Sequence, residues 1–138
     1  MQPSMPIARP RRVFRGHETL IAAVAVFPDG RRIVTSSYDE TLCVWDLGDG
    51  AMLRELMGHH SWVRAVAVSG DGELIASGDQ CGDLIVWDGL EDAQAGESLT
   101  WQGINGHNGR ITSLDFSPDR KMLASVSSDN TIKYDCGE

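Results

Sequence analysis

The sequence predicts an all-β fold made of three consecutive four-stranded antiparallel units. Three observations carry this expectation: an internal repeat covering most of the 138 residues, short apolar segments at roughly ten-residue spacing, and a turn signal after nearly every segment. No stretch shows the periodicity of an amphipathic helix.

The repeat begins at Gly16-His17, Gly58-His59 and Gly106-His107, with the histidines 42 and then 48 residues apart. First strands are expected at Val24–Phe27, Val66–Val68 and Leu114–Phe116. Each runs into a tight turn, at Pro28-Asp29-Gly30, Gly70-Asp71-Gly72 or Pro118-Asp119, whose residues supply a preset or positive φ. Second strands follow at Arg32–Ser36, Leu74–Gly78 and Met122–Val126, and third strands at Thr41–Trp45, Leu84–Trp87 and Thr131–Lys133. Met52–Leu56 and Leu99–Gln102 supply fourth strands between units. The six extra residues of the second spacing fall in Glu91–Gly96, a polar stretch read as an enlarged loop. Four antiparallel strands per unit make a β-propeller blade.

Units one and two close on Trp45-Asp46 and Trp87-Asp88, each tryptophan 28 residues after its histidine. The period, the Gly-His start and the Trp-Asp end together resemble the WD-repeat (WD40) family over residues 13–135. The resemblance implies blades at about 14–46, 56–88 and 104–135 within a folded segment 12–138. It also implies a buried network in each blade of a histidine, a hydroxyl on the second strand, a turn aspartate and the tryptophan. Blade one matches with His17, Thr35, Asp39 and Trp45. Blade two supplies His59, Ser77 and Trp87, with Cys81 at the aspartate position, so a looser third turn is expected there. Blade three has His107, Ser125 and Asp129, with Asp135 at the tryptophan position. Its ending, Thr131-Ile132-Lys133-Tyr134-Asp135, is either a degenerate last strand or a cut or altered one.

A histidine, a hydroxyl and a carboxylate also make a catalytic triad. Here the hydroxyl lies on a strand with no strained nucleophile turn, and the set recurs in every unit, which favours architecture. No nucleophile elbow, phosphate loop or metal motif is present, so no enzyme, no cofactor and no metal are expected. The extra His60 reads as a surface-loop residue.

The totals narrow the partners. Hydrophobic residues make up 41% and charged residues 23%, ordinary for a globular domain, while the net charge of −8 disfavours nucleic acid and anionic membrane. Arg9, Arg11, Arg12 and Arg15 precede the first acidic residue, so residues 1–11 read as a flexible basic arm on an acidic body. No apolar run is long enough to span a bilayer and no signal peptide is evident. Cys43, Cys81 and Cys136 then read as reduced thiols, with an intracellular address, cytoplasmic by expectation and with the nucleus left open.

Partner binding in the resembled family uses the top face, formed by the loop after Gly-His and the turn between second and third strands. Leu20, Trp62 and Arg110, then Ala22, Arg64 and Thr112, and in the turns Tyr38, Gln80 and Ser128 match those positions. Trp62 and Arg64 lead, because aromatic and arginine side chains dominate interface hot spots. Trp62 packing against a neighbouring blade is the alternative. The expected function is a protein-interaction scaffold for a peptide or protein partner; a purely structural fragment of a longer propeller is the other reading. Three blades form an incomplete ring, since propellers close with about 4–8. A homodimer would supply six blades, and a longer parent propeller would serve equally.

Overall fold

The protein is described by a computed structural model covering residues 12–90, 98–99 and 106–136. The basic arm at 1–11, the enlarged loop and Trp101 lie outside the described residues. All regular structure among the described residues is β, in three antiparallel sheets. Sheet one runs β1 (Ile21–Val26), β2 (Arg32–Ser37), β3 (Thr41–Asp46) and β4 (Met52–Met57) in simple order. Sheet two repeats this with β5 (Val63–Val68), β6 (Leu74–Asp79), β7 (Leu84–Asp88) and β8 (Ser98–Leu99). Sheet three has β9 (Ile111–Phe116), β10 (Met122–Ser127) and β11 (Ile132–Cys136). No helix among the described residues is long and apolar enough to cross a membrane.

First strands begin three residues earlier than the apolar runs suggested, because their upper ends pair across a register shift, as between Ile21 and Ala23. The turns follow the chemistry of their residues. After β1, Gly30 adopts φ +68, and the Asp29 carboxylate accepts from the Arg31 and Arg32 amides at 2.8 and 3.2 Å. The third strand of blade three extends to Cys136, in the register Leu123↔Asp135 that matches Ile33↔Trp45 and Ile75↔Trp87. The strand survives without its tryptophan because the ladder is carried by backbone groups.

Alternation along each strand sends residues to both faces of each sheet. Between sheets one and two lie Phe27, Val34, Leu42, Val44, Leu56, Val63, Ile75 and Trp87. Between sheets two and three lie Ala65, Ala67, Leu74, Ala76, Val86, Ile111, Leu114, Phe116 and Leu123. Burying the valine, leucine, isoleucine and phenylalanine side chains among them supplies about 1.5–3 kcal/mol each, so the sheet-to-sheet interfaces hold the molecule together. The first strands β1, β5 and β9 are neighbours in series, which brings the Gly-His loops and the turns after β2, β6 and β10 to one end. Arginines clamp the opposite end. Arg32 lies 3.9 Å over the Phe27 ring and donates to the Gly89 carbonyl at 2.8 Å, while Arg120 pairs with Asp71 and Glu73.

Candidate functional site

In blade one, His17 Nδ1 lies 3.0 Å from Asp39 Oδ2, and its Nε2 lies 2.7 Å from Thr35 Oγ1. Trp45 Nε1 donates to the same Thr35 oxygen at 2.9 Å. A neutral imidazole that gives its Nδ1 proton to the carboxylate accepts the hydroxyl proton at Nε2, so protons run in one direction from indole to carboxylate. Asp39 is further engaged by the Glu18 amide at 3.1 Å and by the Thr41 hydroxyl and amide at 2.6 and 3.0 Å. Burial pushes the Asp39 carboxyl up, but these donors and His17 outweigh it and hold its pKa at about 2. Gly16 is required beside this histidine, because a Cβ there would fall 2.6 Å from the Trp45 ring.

Blade two corrects the sequence reading. The carboxylate is present, and it comes from Asp79, the last residue of β6, two positions before Cys81. Asp79 Oδ2 lies 2.7 Å from His59 Nδ1, and its Oδ1 accepts from the Cys81 and Asp83 amides at 2.9 and 3.0 Å. His59 Nε2 meets Ser77 Oγ at 2.6 Å, and Trp87 Nε1 donates to that oxygen at 2.8 Å. Both members of the His59–Asp79 pair are fully buried, so the expected loosening of this turn is not found. Burial lowers the His59 pKa against the opposing pull of Asp79 and keeps the ring neutral. In blade three, His107 contacts Asp129 at 3.2 Å, Thr131 Oγ1 at 2.9 Å and Ser125 Oγ at 2.8 Å. The Thr131 hydroxyl and amide, with the Asn108 amide, drive the Asp129 pKa far below the usual carboxylate range.

The bonding order hydroxyl–imidazole–carboxylate is that of a hydrolase triad, yet the arrangement is closed. Ser77 and Ser125 are buried, and in blades one and two the indole already occupies the hydroxyl oxygen. A substrate carbonyl has no approach to these oxygens, and buried polar groups bonded this way act as clamps. Cys43 is likewise quiet. Burial, with the nearby Glu55 and Asp39 charges, raises its thiol pKa to about 11.

A different set of side chains meets at the end carrying the Gly-His loops. Tyr38, from the turn after β2, stacks on Trp62, from the loop before β5, with centroids 4.1 Å apart and planes 4° from parallel. Arg64 Nη1 donates to Tyr38 Oη and to Gln80 Oε1, both at 3.1 Å. Its guanidinium also lies 5.7 Å from the Tyr38 centroid. The Gln80 amide donates to the Trp62 carbonyl at 2.8 Å. Leu20 adjoins the cluster, its carbonyl taking the Tyr38 amide at 2.9 Å, and its side chain is exposed. Arg110 is exposed on the corresponding loop of blade three. Trp62 remains 45% exposed despite the stack. It is therefore both a contact between blades and a surface residue.

The match to known proteins completes the case for the architecture. The family model for the WD domain, G-beta repeat, matches residues 8–46, 50–88 and 99–134.

The chain belongs to the WD40 repeat family.

WD40 repeats generally build non-enzymatic, protein-binding scaffolds, and this chain is built from them. The chain is 36% identical over 52 residues to the small ribosomal subunit protein RACK1 of Caenorhabditis elegans, a match spanning 38% of this chain and 16% of that protein. It is 40% identical over 53 residues to ribosome assembly protein 4 of Saccharomyces cerevisiae (strain ATCC 204508 / S288c), spanning 38% of this chain and 10% of that protein. The crystal structure of the RRP9 WD40 repeats superposes with a TM-score of 0.78 at 30% identity, covering 89% of this chain and 37% of that one. The chain thus matches a sixth or less of the length of these curated relatives.

Four contributing side chains escaped the sequence reading. Asp79 carried a weak signal, being an acidic residue close to the aspartate position. Thr41 and Thr131 stand two residues after Asp39 and Asp129, a spacing at which a hydroxyl reaches back to a turn carboxylate. Phe14, stacked on Trp45 with ring centroids 5.6 Å apart, carried no local signal.

Proposed function

We propose that this WD40 chain binds a peptide or protein partner on the face formed by the Gly-His loops and the turns after second strands. The observation that carries this reading is the Tyr38–Trp62 stack with Arg64 fixed against it by Tyr38 and Gln80. The cluster presents a flat aromatic surface beside a pre-positioned cation, with exposed Leu20 alongside. Aromatic and arginine side chains already held in place give up little rotamer entropy on binding, which is why such groups serve as anchors. Arg110 would extend the surface onto blade three. The relatives' names direct the search for a partner to ribosomes and ribosome assembly particles inside the cell.

The test is capture from cell extract by wild type and by the Trp62→Ala/Arg64→Ala chain, with thermal melts of both. Loss of wild-type partners with a nearly unchanged melt is expected. Capture that persists would overturn the binding assignment, and a melt that collapses would assign Trp62 to packing between blades.

A second reading is favoured by the outer blade faces. Val24 and Val26 on β1 are 60% and 61% exposed, and Ile132 and Tyr134 on β11 are 77% and 71% exposed. Apolar sheet faces of this kind are covered in a closed ring, either by further blades of a longer polypeptide or by a homodimer of six blades. In this reading the chain is first a structural segment, and the partner site belongs to the completed ring.

A further inference from the structure

We infer that the partner is an acidic peptide segment: the open edge of the Arg64 guanidinium takes an aspartate or glutamate carboxylate, and Trp62 takes an aromatic or aliphatic side chain beside it. This deepens the binding reading above and rests on it.

The Tyr38–Trp62–Arg64 cluster is an addition to the repeat. The repeat counterparts of Arg64 are Ala22 and Thr112, those of Trp62 are Leu20 and Arg110, and those of Tyr38 are Gln80 and Ser128. Blades two and three therefore meet without an aromatic stack or a pinned arginine at these positions, held by apolar side chains such as Ile111 and Leu114. A blade-to-blade contact does not need the cluster, which leaves recognition as its use.

The guanidinium has five N–H groups on a rigid fork. Both Nη1 hydrogens are committed, one to Tyr38 Oη and one to Gln80 Oε1, each at 3.1 Å. Nε and Nη2 have no protein acceptor among the described residues, and both reach solvent. Together they form the side-on edge of the fork, whose two parallel N–H groups match the two oxygens of one carboxylate. Tyr38 and Gln80 fix the plane of that edge before a ligand arrives, so little rotamer freedom is lost on binding.

The charge is oriented but not cancelled. Other held arginines of this chain meet carboxylates: Arg32 pairs with Asp29, and Arg120 with Asp71 and Glu73. Arg64 is held by two neutral groups and enters no ion pair among the described residues. It is also half-buried, where water screens a charge less than at an open surface, so an arriving carboxylate gains more there. One positive charge and one two-pronged edge answer a single carboxylate. A phosphate monoester, with a charge of about −2 and three oxygens, would leave charge and acceptors unanswered. Beside the fork, Tyr38 covers one face of the indole and leaves Trp62 45% exposed, with exposed Leu20 nearby, so a flat or aliphatic side chain has a surface to lie on.

The test selects peptides from a phage-displayed random library on the full chain and, in parallel, on the Trp62→Ala/Arg64→Ala chain. Wild type is expected to enrich peptides that carry aspartate or glutamate next to an aromatic or aliphatic residue, and the double variant to lose them. The strongest selected peptide is then synthesised with glutamate, glutamine or phosphoserine at its acidic position and titrated by fluorescence anisotropy. On wild type the glutamine peptide should bind about tenfold more weakly or worse, as expected for loss of a charge-assisted contact. Arg64→Lys, which keeps the charge but not the fork, should lose most of that preference. The glutamine comparison uses the unaltered protein, so it decides the matter even where an Arg64 variant folds poorly. Peptides that the double variant loses but that show no acidic preference overturn the carboxylate assignment and leave the binding reading in place. A phosphoserine peptide that binds more tightly than the glutamate peptide overturns it in favour of phosphate. Peptides that bind the double variant equally well, or a selection that yields none, overturn both.

Discussion

Blades one and two do the same job with carboxylates from different places. In blade one the acceptor for His17 is Asp39, in the turn, while Ser37 ends the strand and takes the Asp39 amide at 3.1 Å. In blade two the strand itself ends in the carboxylate, Asp79, and Cys81 fills the turn position. Asp39 keeps 11% of its side-chain surface in water; Asp79 keeps none. The comparison teaches that the network is defined by reach. The fold requires an acceptor within hydrogen-bond distance of the imidazole Nδ1 and of the turn amides, and a residue two positions away meets that demand as well.

The most damaging change expected is Asp79→Ala, which leaves His59 and two amides without their acceptor in a dry site and should cost more than about 2 kcal/mol. Asp39→Ala should cost about 1 kcal/mol or more but less than Asp79→Ala, because water reaches Asp39. Chemical denaturation of both ranks them, and the reverse order would break the comparison.

Moving the carboxylate sharpens it. Asp79→Ser combined with Cys81→Asp rebuilds the blade-one layout and should recover much of the stability that Asp79→Ala removes. Cys81→Asp alone places a second carboxylate beside Asp79 and should give no stabilisation. A clear gain in its unfolding free energy would mean that Asp79 is not the working acceptor.

The pH response should separate the blades. The folded His59 pKa lies below its ordinary 6.5, so the folded state binds fewer protons there than the unfolded chain. Its contribution is present above about pH 6.5 and fades as pH falls below that value. Asp39, at about 2 against 3.8, contributes above pH 3.8 and loses that contribution between there and pH 2. Melting temperature should therefore fall in two stages on acidification, and Asp39→Asn should shrink the lower one, to which Asp129 also contributes.

A smaller effect lies in the turns. The position after Asp39, Cys81 and Asp129 in the three turns carries positive φ in every blade, at Glu40 (74), Gly82 (95) and Asn130 (70). Glu40 is the least suited to it, and Glu40→Gly should stabilise by up to about 1 kcal/mol, measurable as a shift in the denaturation midpoint.

The strands and their order were legible in the sequence because Pro-Asp-Gly turns and short apolar runs are local chemistry repeated three times. His17, Thr35, Asp39 and Trp45 were legible as a set because blade one departs nowhere from the repeat. Asp79 was not, since gapless alignment assigns position 81 and nothing local says which carboxylate reaches the histidine. The Tyr38–Trp62 stack joins residues of different blades and exists only once the sheets pack. The seat of Phe14 on Trp45 is tertiary in the same way.

The division of labour between clamp and binding surface is tested most directly by plotting partner capture against melting temperature for Asp39→Ala and for Trp62→Ala/Arg64→Ala. Asp39→Ala should lower the melt and, below that melt, still capture partners. The Trp62→Ala/Arg64→Ala chain should lower the melt less than Asp39→Ala does, because the stack and the Arg64 bonds are open to water, and should lose capture. A Trp62→Ala/Arg64→Ala chain that melts early, or that binds as well as wild type, would contradict the account.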